Sequence, residues 1–181
     1  MMRLTRRSLV ATAGTVAAGV PLGKPRAASA LQGIEALQAL DAPKPVDVRF
    51  TEADGTARSL ADYAGQGVVL NLWATWCVPC IKEMPSLAAF AAVVAQDRIA
   101  VLPLASDKAG ASIVERFFKD LGVANLPVLL DPMGAAARGL AVRGIPTTLI
   151  IDRQGREVAW LEGGMDWATD PALAAVRKLV G

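Results

Sequence analysis

Residues 68–80 read Val68-Val69-Leu70-Asn71-Leu72-Trp73-Ala74-Thr75-Trp76-Cys77-Val78-Pro79-Cys80, and the fold turns on them. The first six are apolar except for Asn71, and such a run suits a central strand covered on both faces. Just beyond stand the only two cysteines of the chain, spaced Cys-x-x-Cys. Residues 79–95 then place Ile81, Met84, Leu87, Ala88 and Ala91 at helical spacing. A buried strand therefore runs into a helix, and the cysteines sit at the junction.

That junction carries chemistry. A helix N-terminus has unpaired amide donors and the positive end of the helix dipole, which favour a thiolate over a thiol. Two intervening residues let Cys77 and Cys80 lie on one helical turn, close enough to bond. A thiolate at the open end can attack an external disulfide, and the second sulfur can resolve the product. Cys77, at the helix end, is expected to attack, and Cys80, one turn inside, to resolve.

Other uses of two cysteines fare worse. The 181 residues contain no histidine, which removes Ser-His and Cys-His pairs, His-ligated metal sites and c-type haem attachment. Zinc would need two more ligands. A purely structural bond between residues three apart closes a small loop and stabilises little. A Cu(I) carrier using both thiolates and a thiol peroxidase remain as alternatives. Thr75, however, stands two residues before Cys77, where a Thr-x-x-Cys peroxide pocket needs three. No cofactor and no metal are expected.

The wider motif, Leu70-Asn71-Leu72-Trp73-Ala74-Thr75-Trp76-Cys77-Val78-Pro79-Cys80-Ile81-Lys82-Glu83-Met84-Pro85, resembles the TlpA/ResA-like exported thiol-disulfide oxidoreductases of the thioredoxin superfamily. A second match is Arg143-Gly144-Ile145-Pro146-Thr147-Thr148, followed by Asp152-Arg153-Gln154-Gly155. The resemblance covers roughly residues 44–180. It implies that Pro146 is a cis-proline beside the cysteines and that Ile145 offers backbone groups to a substrate strand. Trp76 is expected to shield the sulfurs and give a flat apolar docking surface, whereas Trp73 reads as core. Glu83, three residues after Cys80, is implied to tune the acidity or proton transfer of the pair; a solvated helix glutamate is the plainer reading. Asn71 stands where cytosolic thioredoxin has a buried aspartate, so Glu83 becomes the candidate relay. Pro85 lies inside the helix and is expected to kink it.

The rest of the chain supplies a matching frame. Residues 46–50 alternate as a strand, and Asp54-Gly55 signals a turn, so a small hairpin opens the domain. Ser59-Leu60-Ala61-Asp62 resembles a capped helix start. Strands are expected at 99–104, 128–130, 147–151 and 157–161. Ser112-Ile113-Val114-Glu115 has capping-box spacing, with Ile113, Phe117 and Leu121 on one face of the helix after it. Asp131-Pro132 reads as the start of a short helix and Asp170-Pro171 as the start of a last one ending near Val180. The fold class is α/β: a thioredoxin-like fold with a central mixed β-sheet, helices on both faces and an N-terminal β-hairpin extension.

The N-terminus is different in kind. Residues 1–30 carry five bases (Arg3, Arg6, Arg7, Lys24, Arg26) and no acid. The remaining 151 residues hold 14 bases and 17 acids, a net of −3, so nucleic acid is not an expected partner. A basic start, an apolar run from Leu9 to about Leu22 and an Ala28-Ser29-Ala30 end form an export signal, with cleavage expected after Ala30. Thr5-Arg6-Arg7-Ser8-Leu9 resembles a twin-arginine signal, although Val10 replaces the usual Lys; a general secretory leader is the alternative. Residues 31–45 form a lead-in with two prolines, and 46–181 the thioredoxin-like domain. No stretch after the leader is expected to span a membrane.

These readings converge on a periplasmic or otherwise extracytoplasmic monomer. The resemblance implies a reductant of protein disulfides of the cytochrome c maturation or oxidase copper-site assembly type. Its implied partners are apocytochrome c or a copper-site protein, with electrons from a membrane thiol donor.

Overall fold

In the computed structural model, which describes residues 31–181, eight strands form one mixed sheet. They are β1 (Gln38–Pro45), β2 (Arg49–Glu52), β3 (Ala57–Ser59), β4 (Gly67–Trp73), β5 (Ile99–Ala105), β6 (Leu129–Leu130), β7 (Thr147–Ile151) and β8 (Arg156–Glu162). Four helices accompany them: α1 (Val78–Val94), α2 (Ala111–Asp120), α3 (Ala135–Gly139) and α4 (Asp170–Val180). The order across the sheet is β1-β8-β7-β4-β5-β6-β2-β3. β4, β5 and β6 run parallel, and β7 pairs antiparallel with β4 on the other side.

Every residue of β4 is buried, as its near-continuous apolar run requires of a strand packed on both faces. Its side chains divide between two cores. Val69 and Trp73 face a core shared with α1, α2 and α4. Val68, Leu70 and Leu72 face a second core, closed by Phe50 of β2, by Leu60 and by Ala136 of α3. Each fully buried Leu is worth roughly 1.5–3 kcal/mol relative to an exposed one. Trp73 stacks on Phe118 with ring centroids 5.4 Å apart, so its place is in the core.

The hairpin expected at the start of the domain is β2–β3, with Arg49 opposite Ser59. Ser59 and Asp62 do cap a single short turn, Leu60–Tyr63, where the Ser59 amide donates to the Asp62 carboxylate at 2.8 Å. α4 begins as expected, capped by Thr169, whose hydroxyl accepts from the Ala172 amide.

Several local expectations give way. The lead-in at 31–45 contributes a strand: β1 pairs antiparallel with β8 at the sheet edge, where its prolines need donate to no further neighbour. Ser112 is not a cap, because α2 begins at Ala111 with Gly110 before it, at φ +79°. The buried face of α2 is Val114 and Phe118; Ile113, Phe117 and Leu121 flank it half-buried. α3 begins at Ala135 rather than at Pro132. Asp131 still caps it from a distance, accepting from the Ala135 and Ala136 amides at 2.8 and 2.9 Å. Val78–Asp97 has the length and apolarity of a membrane span, contrary to expectation, yet it is a core helix with Met84, Leu87, Phe90 and Val94 buried against the sheet. The expected export signal, its twin-arginine motif and its cleavage point lie outside the described residues.

The close approach of α4 to the start of β4 depends on Gly67. A Cβ there would meet Val180 at 2.8 Å, and valine has little freedom to turn aside. Gly67→Ala should destabilise the fold by about 1–3 kcal/mol, read as a lower denaturant midpoint with an unchanged slope.

Candidate functional site

The site lies where β4 and β5, parallel neighbours, end side by side, with Trp73 opposite Ala105. The chain leaves β4 through Ala74-Thr75-Trp76 and enters α1 at Cys77, which is the N-cap with extended backbone (φ −90°, ψ 103°). The Cys77 amide donates back to the Ala74 carbonyl at 3.1 Å, and the Ile81 amide donates to the Cys77 carbonyl at 3.0 Å. Pro79 suits the first turn because its missing N–H would have been unpaired there in any case.

The two cysteines are bonded to each other, with Cα atoms 5.2 Å apart. Cys80 is fully buried, whereas Cys77 keeps 6% of its surface. Around that opening stand Trp76, 68% exposed, and Val78, 59% exposed: two large apolar groups held in water next to the sulfurs. The Ile145–Pro146 bond is cis, and the Cys77 Sγ lies 3.6 Å from the Ile145 carbonyl oxygen. The structure thus brings Trp76, Cys77, Cys80, Ile145 and Pro146 together.

Glu83 lies on α1 three residues beyond Cys80, and it is not the solvated helix residue of the plainer reading. It has no exposed surface. Its Oε1 accepts from Asn71 Nδ2 at 2.9 Å; its Oε2 accepts from the Met165 amide at 3.0 Å and from Trp167 Nε1 at 3.4 Å. Burial pushes the carboxyl up from 4.5 to about 7, and the three N–H donors pull against that rise. A carboxyl so poised can hold or release a proton near neutrality.

Asn71 is also fully buried, and its Nδ2 donates to Thr148 Oγ1 at 2.9 Å as well. Its Oδ1 has no partner among the described residues. The amide can therefore serve either form of Glu83: Nδ2 donates to the carboxylate, and after a half-turn Oδ1 can accept from the acid.

Sequence reasoning missed two parts of this arrangement. Asp107, buried just past β5, accepts from the Thr75 amide at 3.0 Å and the Thr75 hydroxyl at 2.6 Å, and so fixes the approach to Cys77. The signal was an acidic residue at the carboxyl end of a parallel strand next to β4. Met165 and Trp167, the donors to Glu83, lie more than 80 residues away in a loop with no motif, so no local pattern marks them.

Comparison with known proteins places this geometry. The sequence model of the AhpC/TSA family matches residues 41–159. A thiol-disulfide oxidoreductase ResA of Bacillus thuringiensis subsp. konkukian is 31% identical over 113 residues, 62% of this chain and 64% of that protein. The match thus spans less than two thirds of that relative's length. ResA of Bacillus subtilis is 33% identical over 125 residues, 69% of this chain and 67% of that protein. A solved structure from Chlorobium tepidum, described as a thiol:disulfide interchange protein DsbE, aligns with a TM-score of 0.68 and 26% identity, over 79% of this chain and 100% of that one.

The buried carboxyl makes a stability prediction. Burial holds the folded-state value above the unfolded one, so ionising Glu83 opposes folding. Its contribution is full below about 4.5 and is lost as pH rises through about 7. Denaturation across that window should show wild-type stability falling, relative to Glu83→Gln, by roughly a few kcal/mol between its two ends.

Proposed function

Because the chain belongs to the AhpC/TSA family, in its TlpA/ResA-like branch of the thioredoxin superfamily, we propose that it is an extracytoplasmic thiol-disulfide oxidoreductase that reduces selected protein disulfides. The observation that carries this reading is the bonded Cys77–Cys80 pair at the N-terminus of α1, set against the cis Ile145–Pro146 bond.

The cycle begins from the reduced pair. The Cys77 thiolate, favoured by the helix N-terminus, attacks one sulfur of a partner disulfide. The partner S–S bond breaks, a mixed disulfide forms, and the released sulfur takes a proton. Cys80 then loses its proton and attacks Cys77 Sγ. The second partner sulfur leaves, and the Cys77–Cys80 bond closes, as found here. Two electrons have passed to the partner, and a thiol donor must return two to reopen the pair.

Burial of Cys80 and the edge exposure of Cys77 support these roles. Glu83, one helical turn beyond Cys80 and titrating near neutrality, is suited to take the proton that Cys80 gives up. Trp76 and Val78 offer apolar surface to the partner, and Ile145 and Pro146 border the place where its backbone would lie.

Export rests on the three-part signal at residues 1–30. In an oxidising compartment a reductant of particular cysteines has a task, since disulfides form there readily. Cysteine pairs destined for haem or copper attachment, as in apocytochrome c or a copper-site protein, are the partners this reading favours, with a membrane thiol as donor.

The roles are separable by trapping. With a disulfide-containing protein substrate, Cys80→Ser should accumulate a mixed disulfide on non-reducing gels, and Cys77→Ser should accumulate none. Equal behaviour of the two variants would overturn the assignment. A wild-type chain unable to cycle between bonded and free sulfurs would overturn the function itself.

A further inference from the structure

The segment that follows the expected cleavage point does not simply lead into the domain. Gln32 pairs with the loop between β8 and α4 as an isolated parallel bridge to Met165. Its amide donates to the Gly164 carbonyl at 2.8 Å, and its carbonyl accepts from the Asp166 amide at 3.2 Å. Its side-chain Nε2 donates to the Glu162 carbonyl at 2.8 Å. One residue thus grips both flanks of Gly163-Gly164-Met165. Ile34, Ala36 and Leu37 anchor the segment against the core shared with α1 and α4.

The gripped loop is the one that reaches Glu83. The Met165 amide and the Trp167 indole both donate to Glu83 Oε2. The packing leaves no slack. A Cβ on Gly164 would lie 3.0 Å from Leu31 Cδ2, 3.3 Å from the Pro79 carbonyl and 3.4 Å from Glu83 Oε2. Leu31, the first turn of α1 and the buried carboxyl therefore meet at one glycine. Gly163 is tied in the same way: it sits at φ +95°, and a Cβ there would collide with Gln32 Nε2.

We propose that Gln32 is a positioning residue of the redox site: by clasping residues 162–166 it keeps the Met165 amide on Glu83 and Leu31 over Gly164, and so keeps water from the carboxyl. The proposal rests on the function above in taking Glu83 to matter for the sulfur pair. Its structural half, the dryness of Glu83, can be read without any turnover.

The direction follows from the forces on Glu83. Burial is the largest, and it raises the pKa; the Asn71, Met165 and Trp167 donors oppose it, and no charged side chain contributes. β4 and β7 carry no ionisable residue. The ionisable side chains on the other packed segments, Glu35, Lys82, Arg156, Glu162, Asp166, Asp170, Arg177 and Lys178, are exposed, and the one buried acid among them, Glu157 of β8, is paired with Lys44 at 3.0 Å. Loosening the clasp admits water and removes the dominant force, so the carboxyl becomes more acidic.

The test uses the full chain and neutral substitutions, which add no charge near Glu83. Gln32→Met keeps the length of the side chain and deletes its donor; Gln32→Ala deletes both. Gln38→Ala, at an exposed position on β1, is the control. The Glu83 carboxyl is followed by carbon NMR across pH, its signal assigned by its loss in Glu83→Gln. In both Gln32 variants the midpoint should fall by about half a pH unit or more, a roughly threefold change in proton affinity, with the control unmoved. The pH profile of disulfide reduction should move with it. An unchanged or raised midpoint in a folded Gln32→Met chain would overturn the proposal, even if its stability were lower. Amide exchange in the wild-type chain gives a second reading if a variant fails to fold. The Met165 and Asp166 amides should open together, and independent, rapid exchange at Met165 would overturn the clasp. A wild-type chain that reduces no disulfide, while Gln32→Met still shifts the midpoint, would sink the proposed function and leave the clasp standing.

Discussion

A carboxyl group with no exposed surface is held on α1 one turn beyond Cys80, and much of the surrounding structure can be understood as what that burial demands. An ionised carboxylate out of water is costly unless donors surround it. Here the donors come from β4, through Asn71, and from the loop before α4, through Met165 and Trp167. Glu83 itself rides on α1. Two consecutive elements and a loop more than 80 residues further on are therefore tied to one carboxyl group, and each loses a partner if another moves. The opposition between burial and donors leaves the group titrating at about 7, where neither form dominates.

The other side of the site is organised by backbone rather than by charge. β4 and β5 end together, and Asp107 holds Thr75 from the β5 side, so the chain is aimed before it reaches Cys77. Cys77 then caps α1, and Cys80 turns inward beneath it. This geometry gives the two sulfurs unequal surroundings although only two residues separate them. One borders water and the Ile145 carbonyl; the other is sealed among core residues. Unequal access is what a two-step exchange needs, since the first sulfur must meet a protein and the second only its neighbour.

Legibility followed the range of the forces involved. β4, α1, the β7–β8 pair and α4 were readable because periodicity and turn residues are local signals, and each element lies near its expected bounds. The capping box at Ser112 failed for a related reason: a local pattern was present, but Gly110 already turned the chain into α2 two residues earlier. Asp131 shows the intermediate case, a true cap acting across Pro132 on a helix that begins at Ala135. β1 could not be read at all, because an exposed edge strand with prolines has no inward-facing alternation and exists only by pairing with β8.

At the site the division is the same. The chain alone determined that two cysteines share the start of one helix, that a Gly-Ile-Pro-Thr stretch accompanies them and that a carboxylate follows one turn later, since all of these are matters of composition and spacing. Only the tertiary structure decided that Glu83 is dry, that Asn71, Met165 and Trp167 serve it, and that Gln32 returns from the N-terminus to grip the loop that seals it. The reason is physical: spacing along a chain governs which groups share a helical turn, but solvent exclusion is a property of everything packed around a group, and no single segment carries it.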